Sequence, residues 1–180
     1  HMNALSSVTI GSGVTALGSG AFYDCTSLTS VTIPDSVITM KNAVFQKCTS
    51  LTNVIIGSSV TNIASDTFSG CTNLTGVYFA GNAPSVGALV FSGANHATVY
   101  YLPGTTGWGM WFGGRPTALW LPQVQTGDAT FGVRTNEFGF TVTWASDRVV
   151  VVEACTNLGS PFWLPLRTNT LPNGSCYFSE

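Results

Sequence analysis

The feature that most constrains this chain is an internal repeat of 23 residues. Cys25, Cys48 and Cys71 are each separated by that step, as are Leu5, Leu28, Leu51 and Leu74. The same interval links Val8, Val31, Val54 and Val77, then Ile10, Ile33, Ile56 and Phe79. Val14, Val37 and Val60 form a further column, Leu17, Met40 and Ile63 another, and Phe22, Phe45, Phe68 and Phe91 the last. A decayed fifth copy continues through Ala97, Tyr100 and Leu102. Seven aligned apolar columns mean stacked, equivalent units, and such units are sought before secondary structure because they decide the fold.

Each copy reads Leu-x-x-Val-x-Ile, whose period-2 ending predicts a short strand with Val and Ile facing inward. Gly11, Pro34, Gly57 and Pro103 turn the chain after it. A second extended piece, Val-x-x-Leu, follows, and then a turn of helix around Ala-Phe-x-x-Cys. One coil cannot bury its apolar face alone, whereas stacked coils about 4.8 Å apart bury a continuous core. The four phenylalanines are expected to form a spine along the stack.

Leu51-Thr-Asn-Val54-Ile-Ile56, Val60-Thr-Asn-Ile63 and Thr67-Phe68-Ser-Gly-Cys71-Thr-Asn-Leu74 together resemble the BspA-like (treponemal) class of bacterial leucine-rich repeats. The resemblance covers residues 3–104 and implies a leucine-rich-repeat solenoid of short strands with helical turns. It also implies a non-catalytic binding or adhesion module of a bacterial surface or secreted protein. The fourth copy departs from the pattern, with Ala94 in place of the cysteine and Gly81-Asn-Ala-Pro84-Ser-Val86 shifting its middle strand. This marks the end of the stack.

Residues 105–118 hold Trp108, Trp111 and Phe112 among glycines and Pro116. They form either a cap over the last coil or an aromatic ligand platform. From 119 to 180 the rhythm changes. Phe138-Gly-Phe140-Thr-Val142-Thr-Trp144 alternates as a half-buried strand does. Val149–Cys155, a piece starting at Phe162-Trp163, and Cys176-Tyr177-Phe178 after a Pro172-Asn-Gly-Ser turn supply further strands. The expectation is a small antiparallel, sandwich-like β module, similar to modules near the C-terminus of some secreted bacterial repeat proteins and possessing fewer strands than they have. Cys155 and Cys176 lie near the ends of neighbouring strands there, either bridged as a disulfide or as free thiols.

Only 8% of residues are charged and the net charge is −2. Polarity comes from 24 Thr and 18 Ser. Nucleic acid is excluded as a partner, since no basic stripe is present to displace counterions from phosphates. No run approaches the roughly 20 apolar residues of a membrane span. His1-Met2 reads as a cloning remnant, so a native upstream coil is expected to precede Leu5, and the bare edge of Leu5, Val8 and Ile10 is a candidate for pairing with a second copy.

Catalytic chemistry has little to work with. His96 is the only histidine beyond the remnant, and no Gly-x-Ser-x-Gly elbow accompanies it. Asp128, Glu137, Asp147 and Glu153 sit near turns or strand ends with no spacing that singles out a pair. The cysteine column lacks the fourth ligand of a zinc site, and parallel thiols read as small apolar residues in a tight corner. No cofactor is implied. The candidate site is instead the outward row of the strand face, Thr9, Thr32, Ile55, Tyr78 and Tyr101, beside Ser7, Ser30, Asn53, Gly76 and Val99. Such a face suits a protein partner or a glycan, with a ligand-free spacer as the other reading. Tyr78 and Tyr101 either anchor that partner or pack against the C-terminal module.

Overall fold

The 23-residue period appears directly in the hydrogen bonding. The computed structural model describes residues 4–126, 132–134, 137–154 and 164–179. It divides into two compact units, His1–Trp120 and Leu121–Glu180.

In the first unit one strand per coil is long: β2 (Ser30–Ile33), β4 (Asn53–Ile56), β6 (Gly76–Phe79) and β8 (Thr98–Tyr101). They form a parallel sheet in that order, extended by β10 (Arg115–Leu119) and β9 (Trp111–Phe112). A second parallel ladder joins the two-residue strands β1 (Ala16–Leu17), β3 (Thr39–Met40), β5 (Asn62–Ile63) and β7 (Ser85–Val86). Leu5, Val8 and Ile10 of the first coil pack against the core without entering the long-strand ladder.

The expected inward columns are the core. Leu28, Leu51 and Leu74, then Val31, Val54 and Val77, and Phe45, Phe68 and Phe91 are all buried. The phenylalanines stack face to face, with centroids 5.2, 5.7 and 5.5 Å apart from Phe22 through Phe91 and planes within 8°. Thr67 occupies a column otherwise held by Val44 and Val90, and its buried hydroxyl donates to the carbonyl of Ala64 at 2.7 Å.

The helical turn expected at Ala-Phe-x-x-Cys does not form, and the described residues contain no helix. In each copy two residues four apart take left-handed backbone angles: Gly20 and Asp24, Ala43 and Lys47, Asp66 and Gly70, Leu89 and Gly93. A right-handed helix admits neither. Amides that a helix would use internally reach the next coil instead, from Phe22 N to Val44 O at 2.8 Å and from Phe45 N to Thr67 O at 2.9 Å. The corner is therefore a third inter-coil ladder.

The stack is closed by residues of the aromatic segment. β9 and β10 pair antiparallel through Phe112↔Arg115, and β10 runs parallel to β8 through Thr117↔Val99. Phe112 is buried and meets Phe79 edge-on at 5.5 Å, with Trp108 4.9 Å from Phe79. At Gly113 (φ 57°) a Cβ would lie 2.9 Å from the ring of Phe91, so the hairpin lies directly on the end of the phenylalanine spine.

The second unit is an antiparallel β module in two sheets. β13 (Glu137–Thr143) pairs with β11 (Gln123–Gln125), β12 (Gly132–Arg134) and β16 (Ser175–Ser179). β14 (Arg148–Ala154) pairs with β15 (Leu164–Leu171), with a register shift between Val152 and Glu153. The turn at Asn173-Gly174 links β15 to β16, which belong to different sheets, so it is a corner and not a hairpin. Val142, Ala145, Leu171 and Phe178 are buried in this unit.

Candidate binding surface

Parallel pairing in register places equivalent side chains in straight rows. The pairs Thr32↔Ile55, Ile55↔Tyr78 and Tyr78↔Tyr100 define the row on the outer face of the long-strand sheet. Beside it runs Ser30, Asn53, Gly76 and Thr98. Thr32, Asn53 and Ile55 are exposed, Ile55 with 39% of its surface.

Tyr101 is not in this row. Val77 follows Leu74 by three positions, but Val99 follows Ala97 by only two, so the last long strand is shifted by one. A single-residue slip moves every side chain to the opposite face of a strand. Tyr101 therefore aligns with Phe79 and stacks on Trp108 at 5.2 Å, while Tyr100 takes the outward place. Val99, placed in the neighbouring row by the 23-residue count, is buried, and Thr98 stands there. Aligning Thr98-Val-Tyr-Tyr101 with Gly76-Val-Tyr-Phe79 exposes the slip in the sequence itself.

Tyr78 and Tyr100 stack with centroids 4.8 Å apart and planes within 10°. Trp120 approaches Tyr78 at 5.1 Å, tilted by 56°. Repeat spacing gave no hint of Trp120, which lies beyond the last column; its amide donates to Tyr101 O at 2.7 Å, continuing the ladder. The ring of Tyr78 lies over Gly76, where a Cβ would sit 2.5 Å from Cε2. Burial, and secondarily the neighbouring Tyr100, pushes the Tyr78 phenol up from its ordinary value. The result is a neutral ridge that changes from hydroxyl and amide groups at one end to packed aromatic rings at the other.

The cysteine column is chemically quiet. Cys48 Sγ donates to Phe22 O, and Cys71 Sγ donates to Phe45 O, each at 3.1 Å across the coil boundary. The column is the small, buried filling that its spacing predicts, and the thiols have in addition a donor role that spacing does not reveal. Burial pushes both thiols up to about 12. Cys176 is a free thiol, and its Sγ accepts from Asn169 Nδ2 at 3.2 Å. Its expected partner Cys155 lies outside the described residues, as do Asp128, Phe162, Trp163 and the side chain of Glu137. His96 is exposed, and among the described residues no three His, Cys, Asp or Glu side chains gather at one point. No helix among the described residues is long and apolar enough to cross a membrane.

The model for the BspA type leucine rich repeat region matches residues 1–109 in six copies, more than half the chain. No curated protein and no solved structure matches it. The family model, the 23-residue columns and the parallel ladders describe the same stretch of chain, and the protein belongs to the BspA-type leucine-rich repeat family.

Proposed function

We propose that this chain is a non-catalytic protein-binding module that receives its partner along the outer face of the long-strand sheet. The observation that carries this reading is the continuous row Thr32–Ile55–Tyr78–Tyr100, fixed in register by three parallel ladders. A rigid row needs little ordering on binding, and that cost is a large part of what opposes association. Its aromatic end supplies the residue type that dominates interface energetics. Family membership supports a repeat module of the surface or adhesion type. The place of action we infer is the bacterial surface or the extracellular medium.

The test is retention of purified extracellular-matrix proteins by the immobilised chain, repeated with Ile55→Asp. Retention lost in the variant supports the reading. A chain that retains no matrix protein or surface glycan, on a fully folded sample, favours a spacer that presents other domains.

A further inference from the structure

The corner between β15 and β16 carries chemistry that the strand face does not use. Among the asparagines and aspartates of the chain, Asn173 alone is followed by glycine. In that dipeptide the following backbone nitrogen is positioned in sequence to attack the side-chain amide carbon. Gly174 has no Cβ to obstruct so close an approach.

The step is an intramolecular amide exchange. Gly174 N, once its proton is lost to base, forms a bond to Asn173 Cγ; the Cγ–Nδ2 bond breaks and ammonia leaves. The product is a five-membered cyclic imide. Water then opens one of its two carbonyls, leaving either aspartate or isoaspartate, whose backbone is one carbon longer. Both products carry a negative charge where Asn173 was neutral.

The fold holds the reacting atoms apart. Leu171–Gly174 is a turn closed by Gly174 N, which donates to Leu171 O at 3.1 Å. Asn173 keeps a negative φ, so the turn is type I and ψ at its third residue is about 0°. Ring closure needs the Gly174 nitrogen in line with the Asn173 Cβ, which lies about a third of a turn away from that setting. The nitrogen cannot swing by itself. Gly174 O accepts from Trp144 N at 2.8 Å, and Leu171 O also accepts from Asp147 N at 2.7 Å. Gly174, at φ 72°, lies so close to Trp144 that a Cβ would sit 2.6 Å from its carbonyl oxygen. Leu171, which opens the turn, is fully buried. The Asn173 side chain is exposed, so access of water does not limit the reaction; the backbone does.

We propose that Asn173-Gly174 is a self-modification site that the fold keeps latent, converting to aspartate and isoaspartate only in molecules whose corner has opened. Opening of this kind is a local event that costs less than global unfolding. Each conversion leaves a permanent negative charge on the turn, so modified molecules record past openings. This site is independent of the strand-face reading and stands or falls separately.

The experiment incubates the full chain at pH 8, in buffer and in unfolding urea, and follows conversion of Asn173 by peptide mapping with isoaspartate resolved from aspartate. Leu171→Ala is run in buffer alongside, and Asn173→Gln supplies the baseline. The proposal predicts conversion at least about tenfold faster in urea than in buffer, and faster in folded Leu171→Ala than in folded wild type. If Leu171→Ala does not fold, the wild-type comparison between buffer and urea still decides. Equal rates in buffer and urea, no conversion of Asn173 in urea, or a wild-type rate in folded Leu171→Ala would each overturn it.

Discussion

Tyr78 and Tyr100 stand side by side on neighbouring strands, rings 4.8 Å apart, although 22 residues rather than the repeat length of 23 separate them. The missing residue turns Tyr101 inward onto Trp108 and brings Tyr100 to the outer face. The aromatic end of the strand face therefore depends on a deletion in the last coil.

Gly76 makes that arrangement possible, because any side chain there meets the Tyr78 ring. Gly76→Val is expected to displace the ring and to cost about 1–3 kcal/mol through overpacking. Near-ultraviolet circular dichroism should report loss of the tyrosine stack, and urea unfolding the stability.

Phe45 stacks between Phe22 and Phe68 and is fully buried. Phe45→Ala should cost about 3–5 kcal/mol, the lost transfer energy plus the cavity left between two rings. A midpoint of urea unfolding equal to that of wild type would refute the spine as a source of stability.

The left-handed corner predicts a gain. Leu89 holds φ 56° with 66% of its surface exposed, so it carries backbone strain and returns little burial. Leu89→Gly removes a penalty of about 1–2 kcal/mol, partly offset by glycine's greater entropy loss. The net expectation is a modest rise in melting temperature, whereas the same change at a right-handed position lowers it.

The buried thiols predict a pH dependence. Cys48 and Cys71 are pushed from 9.0 to about 12 in the folded chain, mainly by burial. Their contribution to stability is complete below the unfolded value near 9. Above it the unfolded thiols ionise and the folded ones do not, so that contribution is lost as pH rises toward 12. Each thiol adds a slope of up to about 1.4 kcal/mol per pH unit in that window. A Cys48→Ala, Cys71→Ala double variant should show a shallower decline, and in wild type at pH 8 Cys176 should alkylate before either.

The repeat columns were legible as far as Phe91, because one apolar residue per 23 positions is enough to reveal the register. Three things were not. The Ala-Phe-x-x-Cys corner has the length and composition of a helical turn, and what prevents a helix is the pair of left-handed residues. At Ala43, Lys47 and Leu89 these are ordinary residues that carry no local mark of it. The register of the last long strand is hidden from a count by 23, which assumes equal coils, because this coil is one residue short. The Trp120 contact is likewise hidden, since a residue past the final column has no repeat partner to mark its place.

The most direct test of the central claim is the affinity of a retained matrix protein for wild type, Ile55→Asp and Trp111→Ala, measured by surface plasmon resonance on samples of equal melting temperature. Ile55 is exposed at the middle of the strand-face row, while Trp111 lies on the closing hairpin. The account predicts at least about tenfold weaker binding for Ile55→Asp and wild-type affinity for Trp111→Ala. Wild-type affinity in Ile55→Asp would contradict it and place the partner elsewhere on the protein.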